Sequence, residues 1–336
     1  MQREPKPFWR EVPEELKEEI ASLLGAPVRR AVRVFGGFGP SATFRMSLAD
    51  GRRVFAKGAG LRATEHHWHV LPLEERAYRE VQAIRPWSPA FYGAVRCEGW
   101  HLLLLEDLRE ATWVPPWTDE LSYRAVEDVA AFHAGGMEEQ ADLPVLGDAF
   151  TANWARVAPH GEDRDGLLAL FGDQAHAALR WLDASLGALL EAESRLARQD
   201  QPWGLLHCDI RSDNLAFRGG QLVLFDWADI CRGPIAFDIA AFLPSLESEG
   251  GPSASLLADR YRAALEARGV KLPAWALPAA ASAVSGYFAS RAGRPAMAGL
   301  PRLRGIQRAQ LRHALPWAAS ALGLPRPPEI AGRPGG

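Results

Sequence analysis

The chain has 336 residues, 48% hydrophobic and 24% charged, a balance that describes a folded globular protein and excludes a disordered or fibrous one. Its three cysteines, Cys97, Cys208 and Cys231, stand far apart with no C-x-x-C pair. That argues against a disulfide framework or a cysteine zinc site, and points to a reducing compartment, the cytoplasm by default.

The start, Met1–Phe8, is polar, so no signal peptide is expected. Strands come first. Val32–Phe35 leads into Gly36-Gly37-Phe38-Gly39-Pro40-Ser41. Thr43–Leu48 alternates, with Phe44, Met46 and Leu48 on one face, and the Asp50-Gly51 turn sends the chain back along Arg52–Gly58. A loop rich in His and Trp follows. His66 and His69 stand at i, i+3 within it, but no carboxylate or cysteine completes a recognised metal spacing. Next come a helix over about 73–84, stopped by Pro86, and two strands, Phe91–Arg96 and His101–Leu105.

From Glu120 the pattern turns helical, over roughly 120–134, 165–199, 236–247, 254–268, 276–290 and 302–322. One hairpin interrupts it, Asn214–Phe217 and Leu222–Phe225 around Arg218-Gly219-Gly220. The longest apolar stretch, near Trp275–Ala289, is broken by Pro278 and short for a membrane span, so no membrane association is expected. Residues 251–336 hold eleven arginines and Lys271 against Asp259, Glu266 and Glu329, a net +9 that leaves −12 for residues 1–250. Without aromatic interleaving or a binding motif, this basic stretch does not predict nucleic-acid binding. The layout is α+β, with residues 1–105 strand-rich, 106–324 helical, and a Pro- and Gly-rich tail, 325–336, predicted to be disordered.

The chemistry concentrates in Leu206-His207-Cys208-Asp209-Ile210-Arg211-Ser212-Asp213-Asn214 and, beyond the hairpin, Leu224-Phe225-Asp226-Trp227. Phosphoryl transfer needs a carboxylate to orient and deprotonate the attacking hydroxyl, Mg²⁺ on the phosphates, a lysine to hold them and a backbone loop to cover them. His-x-Asp-x-x-x-x-Asn offers Asp209 as base and the Asn214 amide oxygen for Mg²⁺. The hairpin then returns Asp226 to the same metal, an oxygen-donor pair that suits a hard cation.

These residues resemble the H-G-D-x-x-x-x-N … (I/V)-D-W signature of the aminoglycoside phosphotransferase/choline kinase superfamily. Gly233-Pro234-Ile235-Ala236-Phe237-Asp238 is similar to its downstream G-x-P-x-x-D-L element, with Asp238 structural. The resemblance runs from about Val32 to Phe242 and implies a two-lobed protein-kinase-like fold. A small antiparallel sheet with one helix would form the nucleotide lobe, and a larger helical lobe would carry catalysis and the acceptor pocket. It implies an ATP-dependent phosphotransferase acting on a hydroxyl of a small molecule: a metabolite, sugar, amino alcohol or antibiotic. GTP in place of ATP stays open. Lys57 would grip the phosphates, with Glu75 of the following helix as partner in preference to Glu74. Backbone N–H groups near Gly37, Gly39 and Ser41 would cover them, and the linker through Glu106 and Leu108 would read the base. Arg211 either stabilises charge on the transferring group or is surface charge. Cys208 replaces the usual glycine, so a side chain must be accommodated there, and it is expected to be chemically inert. The alternative is a catalytically inactive kinase-like nucleotide-binding module, against which the joint presence of Lys57, Asp209, Asn214 and Asp226 argues. The basic C-terminal third further suggests a neutral or anionic acceptor.

Overall fold

The computed structural model describes residues 6–35, 41–139, 142–297, 300 and 302–331. Along it lie α1 (Glu14–Leu24), β1 (Val28–Arg33), β2 (Ala42–Leu48), β3 (Arg53–Ala59), α2 (Glu65–Glu80), β4 (Phe91–Cys97) and β5 (Trp100–Glu106). Then come α3 (Asp119–Gly135), α4 (Asp148–Thr151), α5 (Trp154–Val157), α6 (Glu162–Ala169), α7 (Ala175–Arg195), β6 (Trp203–Leu206), β7 (Leu215–Arg218) and β8 (Gln221–Leu224). The chain closes with β9 (Cys231–Pro234), α8 (Ala236–Ser248), α9 (Ala254–Glu266), α10 (Ala276–Ala292) and α11 (Leu303–Ala321). They form two compact units. The first takes the described residues up to Trp113 together with Asp213–Ile230, and the second takes Val114–Ser212 and the described residues from Cys231 onward.

In the first unit five antiparallel strands run in the order β1-β2-β3-β5-β4. The alternation in β2 turns Phe44, Met46 and Leu48 onto a core that Leu16, Ile20 and Leu24 of α1 cover. That spacing of four places the three residues on one helical stripe. Trp100, Leu102 and Leu104 of β5 join the same core, and Leu103 and Leu105 are buried as well. An uninterrupted apolar run is what a strand covered on both faces requires. The hairpin β7–β8 turns through Gly219 and Gly220, both with positive φ, and Phe217 exchanges backbone hydrogen bonds with Thr112 at 2.9 Å.

The second unit is helical apart from the short antiparallel pair β6–β9. Its central helix, α10, is built from Ala, Ser and Gly and is buried along nearly its whole length, so neighbouring helices approach closely. A Cβ on Gly286 would sit 2.8 Å from the Trp154 ring, whose Nε1–H donates to the Ser282 carbonyl at 2.8 Å.

Four expectations need correction. α2 begins at Glu65, so His66, His67 and His69 lie in helix and not in a loop; the helix runs through Pro72 and ends at Glu80. The helix expected over 165–199 is two, divided where Gly172 takes a left-handed φ of 54°. The tail is ordered through Ala331: the Pro325 carbonyl accepts from Trp181 Nε1 at 2.7 Å, and the Ala331 N–H donates to Leu170 O at 2.9 Å. The arginines of α11 hold chain segments in place, Arg304 Nε donating to Pro295 O at 3.1 Å, Arg308 Nε to Ala292 O at 2.9 Å, and Arg312 to Ala331 O. Their count is therefore no guide to the charge of an acceptor pocket. No helix among the described residues is long and apolar enough to cross a membrane.

Glu193 of α7 accepts from the backbone N–H groups of Asn153 at 2.8 Å and Trp154 at 3.0 Å, and burial pushes its carboxyl up to about 7. Because the native state holds this proton above the ordinary carboxylate range, stability falls as pH rises from about 4.5 to about 7. Denaturant titrations at pH 5 and pH 8 should show Glu193→Gln losing part of the wild-type pH dependence. Glu193→Ala, which strands two buried N–H groups, should cost about 2–4 kcal/mol.

Candidate active site

Strand β3 carries Lys57 between Thr43 of β2 and Leu103 of β5. Its ammonium lies 2.8 Å and 2.9 Å from the two carboxylate oxygens of Glu74 on α2, and 2.6 Å from Asp226 Oδ1, just past β8. Burial opposes the charge on Lys57, but the Asp226 and Glu74 carboxylates outweigh it and hold the ammonium above the usual lysine range. Glu74 has only 1% of its side chain exposed, and its carboxyl is pushed up to about 7, first by burial and then by the Asp226 charge, against the pull of Lys57. Two carboxylates thus share one ammonium. Asp226 takes a left-handed φ of 70°, a conformation that costs a non-glycine residue energy and is associated with functional turns.

The expected Lys57–Glu75 pair is therefore corrected to Lys57–Glu74. Glu75, one position on, points to a different face of α2, where it pairs with Arg79 at 2.7 Å and with Arg96, and lies 2.7 Å from His101 Nε2. The Glu-x-x-Tyr spacing favoured Glu75; the 100° step between adjacent helical positions decides for Glu74.

The other residues singled out in this unit have varied surroundings. Asn214 is buried, and its carbonyl accepts from Phe225 N at 3.0 Å. Glu106 accepts from Ala90 N at 3.0 Å and pairs with Arg218, and the Leu108 carbonyl accepts from Trp113 Nε1 at 3.2 Å. Ser41 is half-buried before β2, while Gly37 and Gly39 lie outside the described residues.

In the second unit, the turn after β6 is held by Asp238 of α8. Its carboxylate, wholly buried, accepts from the backbone N–H of His207 at 2.6 Å and of Cys208 at 2.7 Å. His133 Nε2 lies 3.3 Å from the same carboxylate, and its Nδ1 lies 2.6 Å from the Tyr261 hydroxyl. Asp238 is structural, as expected, but it fastens the loop before Asp209. Cys208 keeps the left-handed backbone that suits glycine, at φ 65°. Beyond this clamp Asp209 exposes 40% of its side chain, and Arg211, only 15% exposed, reaches it at 3.0 Å. Arg211 is thus half-buried against this carboxylate. Sequence reasoning missed Ser212, whose hydroxyl donates to Glu249 at 2.6 Å, and Glu249 also accepts from Trp117 Nε1 at 2.8 Å.

Oxygen donors suited to a hard cation are present in Asn214 and Asp226. Among the described residues no group of three or more His, Cys, Asp or Glu is arranged to hold a metal.

The antiparallel five-stranded sheet of the first unit and the helical second unit are those of a kinase-like fold. The model of the phosphotransferase enzyme family (APH) matches residues 70–281, and the chain belongs to that family. It is a phosphotransferase enzyme. Among solved structures it is similar to an aminoglycoside phosphotransferase from Alicyclobacillus acidocaldarius, 16% identical with a TM-score of 0.56 over 94% of this chain and 96% of the other. It is also similar to the choline kinase LicA from Streptococcus pneumoniae, 13% identical with a TM-score of 0.52 over 92% and 98%. A third is the amicoumacin kinase hAmiN, 11% identical with a TM-score of 0.56 over 90% and 96%. No curated protein matches the sequence.

Lys57→Met would leave Glu74 buried without its counter-charge, a loss of about 3 kcal/mol in denaturant unfolding. The loss should be larger at pH 8 than at pH 5.5, where Glu74 takes up a proton. The Lys57→Met/Glu74→Gln double variant should recover most of it, whereas adding Glu75→Gln should recover none.

Proposed function

We propose that the chain transfers the γ-phosphoryl group of ATP to a hydroxyl of a small molecule, with Asp209 as the general base. The observation that carries this reading is the lysine of β3 joined both to Glu74 of the following helix and to Asp226 after the hairpin. A strand lysine paired with a helix glutamate, beside a metal-binding aspartate, is the phosphate-handling set of kinases. Lys57 would neutralise phosphate charge, and Asn214 and Asp226 would hold Mg²⁺, which supplies charge neutralisation on the phosphates. That the amicoumacin kinase structure contains AMP-PNP and Ca²⁺ supports an adenine nucleotide and a divalent cation. The linker backbone around Glu106 and Leu108, and the loop from Gly37 to Ser41, would hold the nucleotide.

Asp209 suits the base role because its carboxylate is partly exposed while the backbone just before it is fixed by Asp238. Arg211 would orient that carboxylate and lend positive charge as the phosphoryl group moves. An inactive binding module would have no need of this partly exposed carboxylate on a clamped turn. The cytoplasm, which supplies ATP, is the compartment this reading requires.

The acceptor is found by screening ADP release over sugars, amino sugars, amino alcohols and antibiotics. With that acceptor, Asp209→Asn should lose on the order of 10²–10⁴ in kcat while nucleotide affinity stays near wild type. Near-wild-type turnover in the purified variant would refute the base assignment.

Asp226→Ala should weaken ATP binding in the presence of Mg²⁺ and change it little in its absence. Calorimetry with and without the metal reads this directly. An unaltered metal dependence places the cation on other residues.

A further inference from the structure

We infer that Cys208 and Cys231 form a reversible oxidation site whose closure to an intramolecular disulfide switches the loop that carries Asp209. Leu206 and Cys231 are partners in the β6–β9 ladder, so Cys208 leaves the strand pair two residues beyond that rung. The left-handed backbone at Cys208 then folds its side chain back, and the two sulfurs stand 3.2 Å apart with neither in a disulfide. Cys208 is half-buried, whereas Cys231 is 6% exposed. Cys208 is therefore the thiol an oxidant reaches first, and Cys231 the one that resolves.

A low-molecular-weight disulfide, RSSR, is the co-reactant. The Cys208 thiolate attacks one of its sulfurs, the R–S–S–R bond breaks, and one RS⁻ leaves, giving Cys208–S–SR. The Cys231 thiolate then attacks the Cys208 sulfur and expels the second RS⁻. Two protein thiols are oxidised to one disulfide, RSSR is reduced to two RSH, and the two cysteine protons end on those thiols.

The effect on the loop follows from distance. A disulfide holds its sulfurs about 2.05 Å apart, so closure requires roughly 1 Å of movement from the observed separation. Cys208 N–H is tied to Asp238 at 2.7 Å, and Asp209 is the next residue. A displacement of about 1 Å at a reacting group can cost on the order of 10²-fold in rate. The consequence for turnover rests on Asp209 being the base; the thiol chemistry does not.

The test incubates the full chain with glutathione disulfide. Of the chain's three cysteine thiols, titration in denaturant should find one remaining, and a non-reducing peptide map should show Cys208 joined to Cys231, with Cys97 unmodified. The C231S variant should stop at a glutathione adduct on Cys208. Hydrogen exchange should show faster exchange of the His207 and Cys208 amides in the oxidised chain, restored by dithiothreitol, and ADP release should fall and recover in parallel. Three thiols remaining, a link through Cys97 or a link between chains overturns the site. A Cys208–Cys231 link with unchanged amide protection overturns the switch. Loosened amides with undiminished ADP release count against Asp209 as base and leave the disulfide standing.

Discussion

The second unit depends on one buried carboxylate. Asp238 has no water to solvate it, so its charge must be met by donors from the protein, and those donors are the two consecutive amides of His207 and Cys208. Hydrogen bonds to an ionised acceptor are about twice as strong as neutral ones, and in a water-excluded site they have no competitor. His133 of α3 lies against the same carboxylate, and Tyr261 of α9 holds His133 from its other ring nitrogen. The turn before Asp209 is thereby fixed through its backbone. Tolerance of Cys208 follows as well: the clamp holds a left-handed turn that the cysteine alone would not favour.

The first unit is organised around the opposite sign. Lys57 is a lone ammonium between two carboxylates, and the buried one, Glu74, is strained toward its neutral form. Such a cluster is poised for more positive charge. Glu75 has no part in this balance, because Arg79, Arg96 and His101 hold it in a separate network.

Much of this was legible in the sequence where a local rule sufficed. Period-two alternation marked β2, turn residues marked the return into β3 and the Gly219-Gly220 hairpin, and helices from α8 to α11 fell within two residues of their expected ends. Spacing failed where three-dimensional packing decides. Leu16, Ile20 and Leu24 carried a readable helical stripe, yet α1 was hidden by the polar residues around it. The helix expected from about residue 73 starts earlier, after Thr64, and runs through Pro72. The four-residue strands β6 and β9 are too short for any period, and only their pairing defines them. Of the site, the motif residues were visible because they are close in sequence. The choice between Glu74 and Glu75, the burial of Arg211 and the nearness of Cys231 to Cys208 depend on contacts that no linear pattern encodes.

The hairpin of residues 215–224 has a consequence for how the protein is made. It belongs with the strand-rich unit, bridged to Thr112, although the intervening chain, Val114–Ser212, belongs to the other unit. During synthesis the first 113 residues emerge without Asp226 and without the hairpin that bridges to Thr112. Lys57 and Glu74 therefore wait as an unfinished pair until roughly 100 more residues have been translated. Closing a loop of that length costs about 4 kcal/mol of chain entropy, less whatever the folded segment within it has already constrained. Early folding of the helices inside the loop would bring its ends together, so the amino-terminal unit is completed through a segment it does not itself contain.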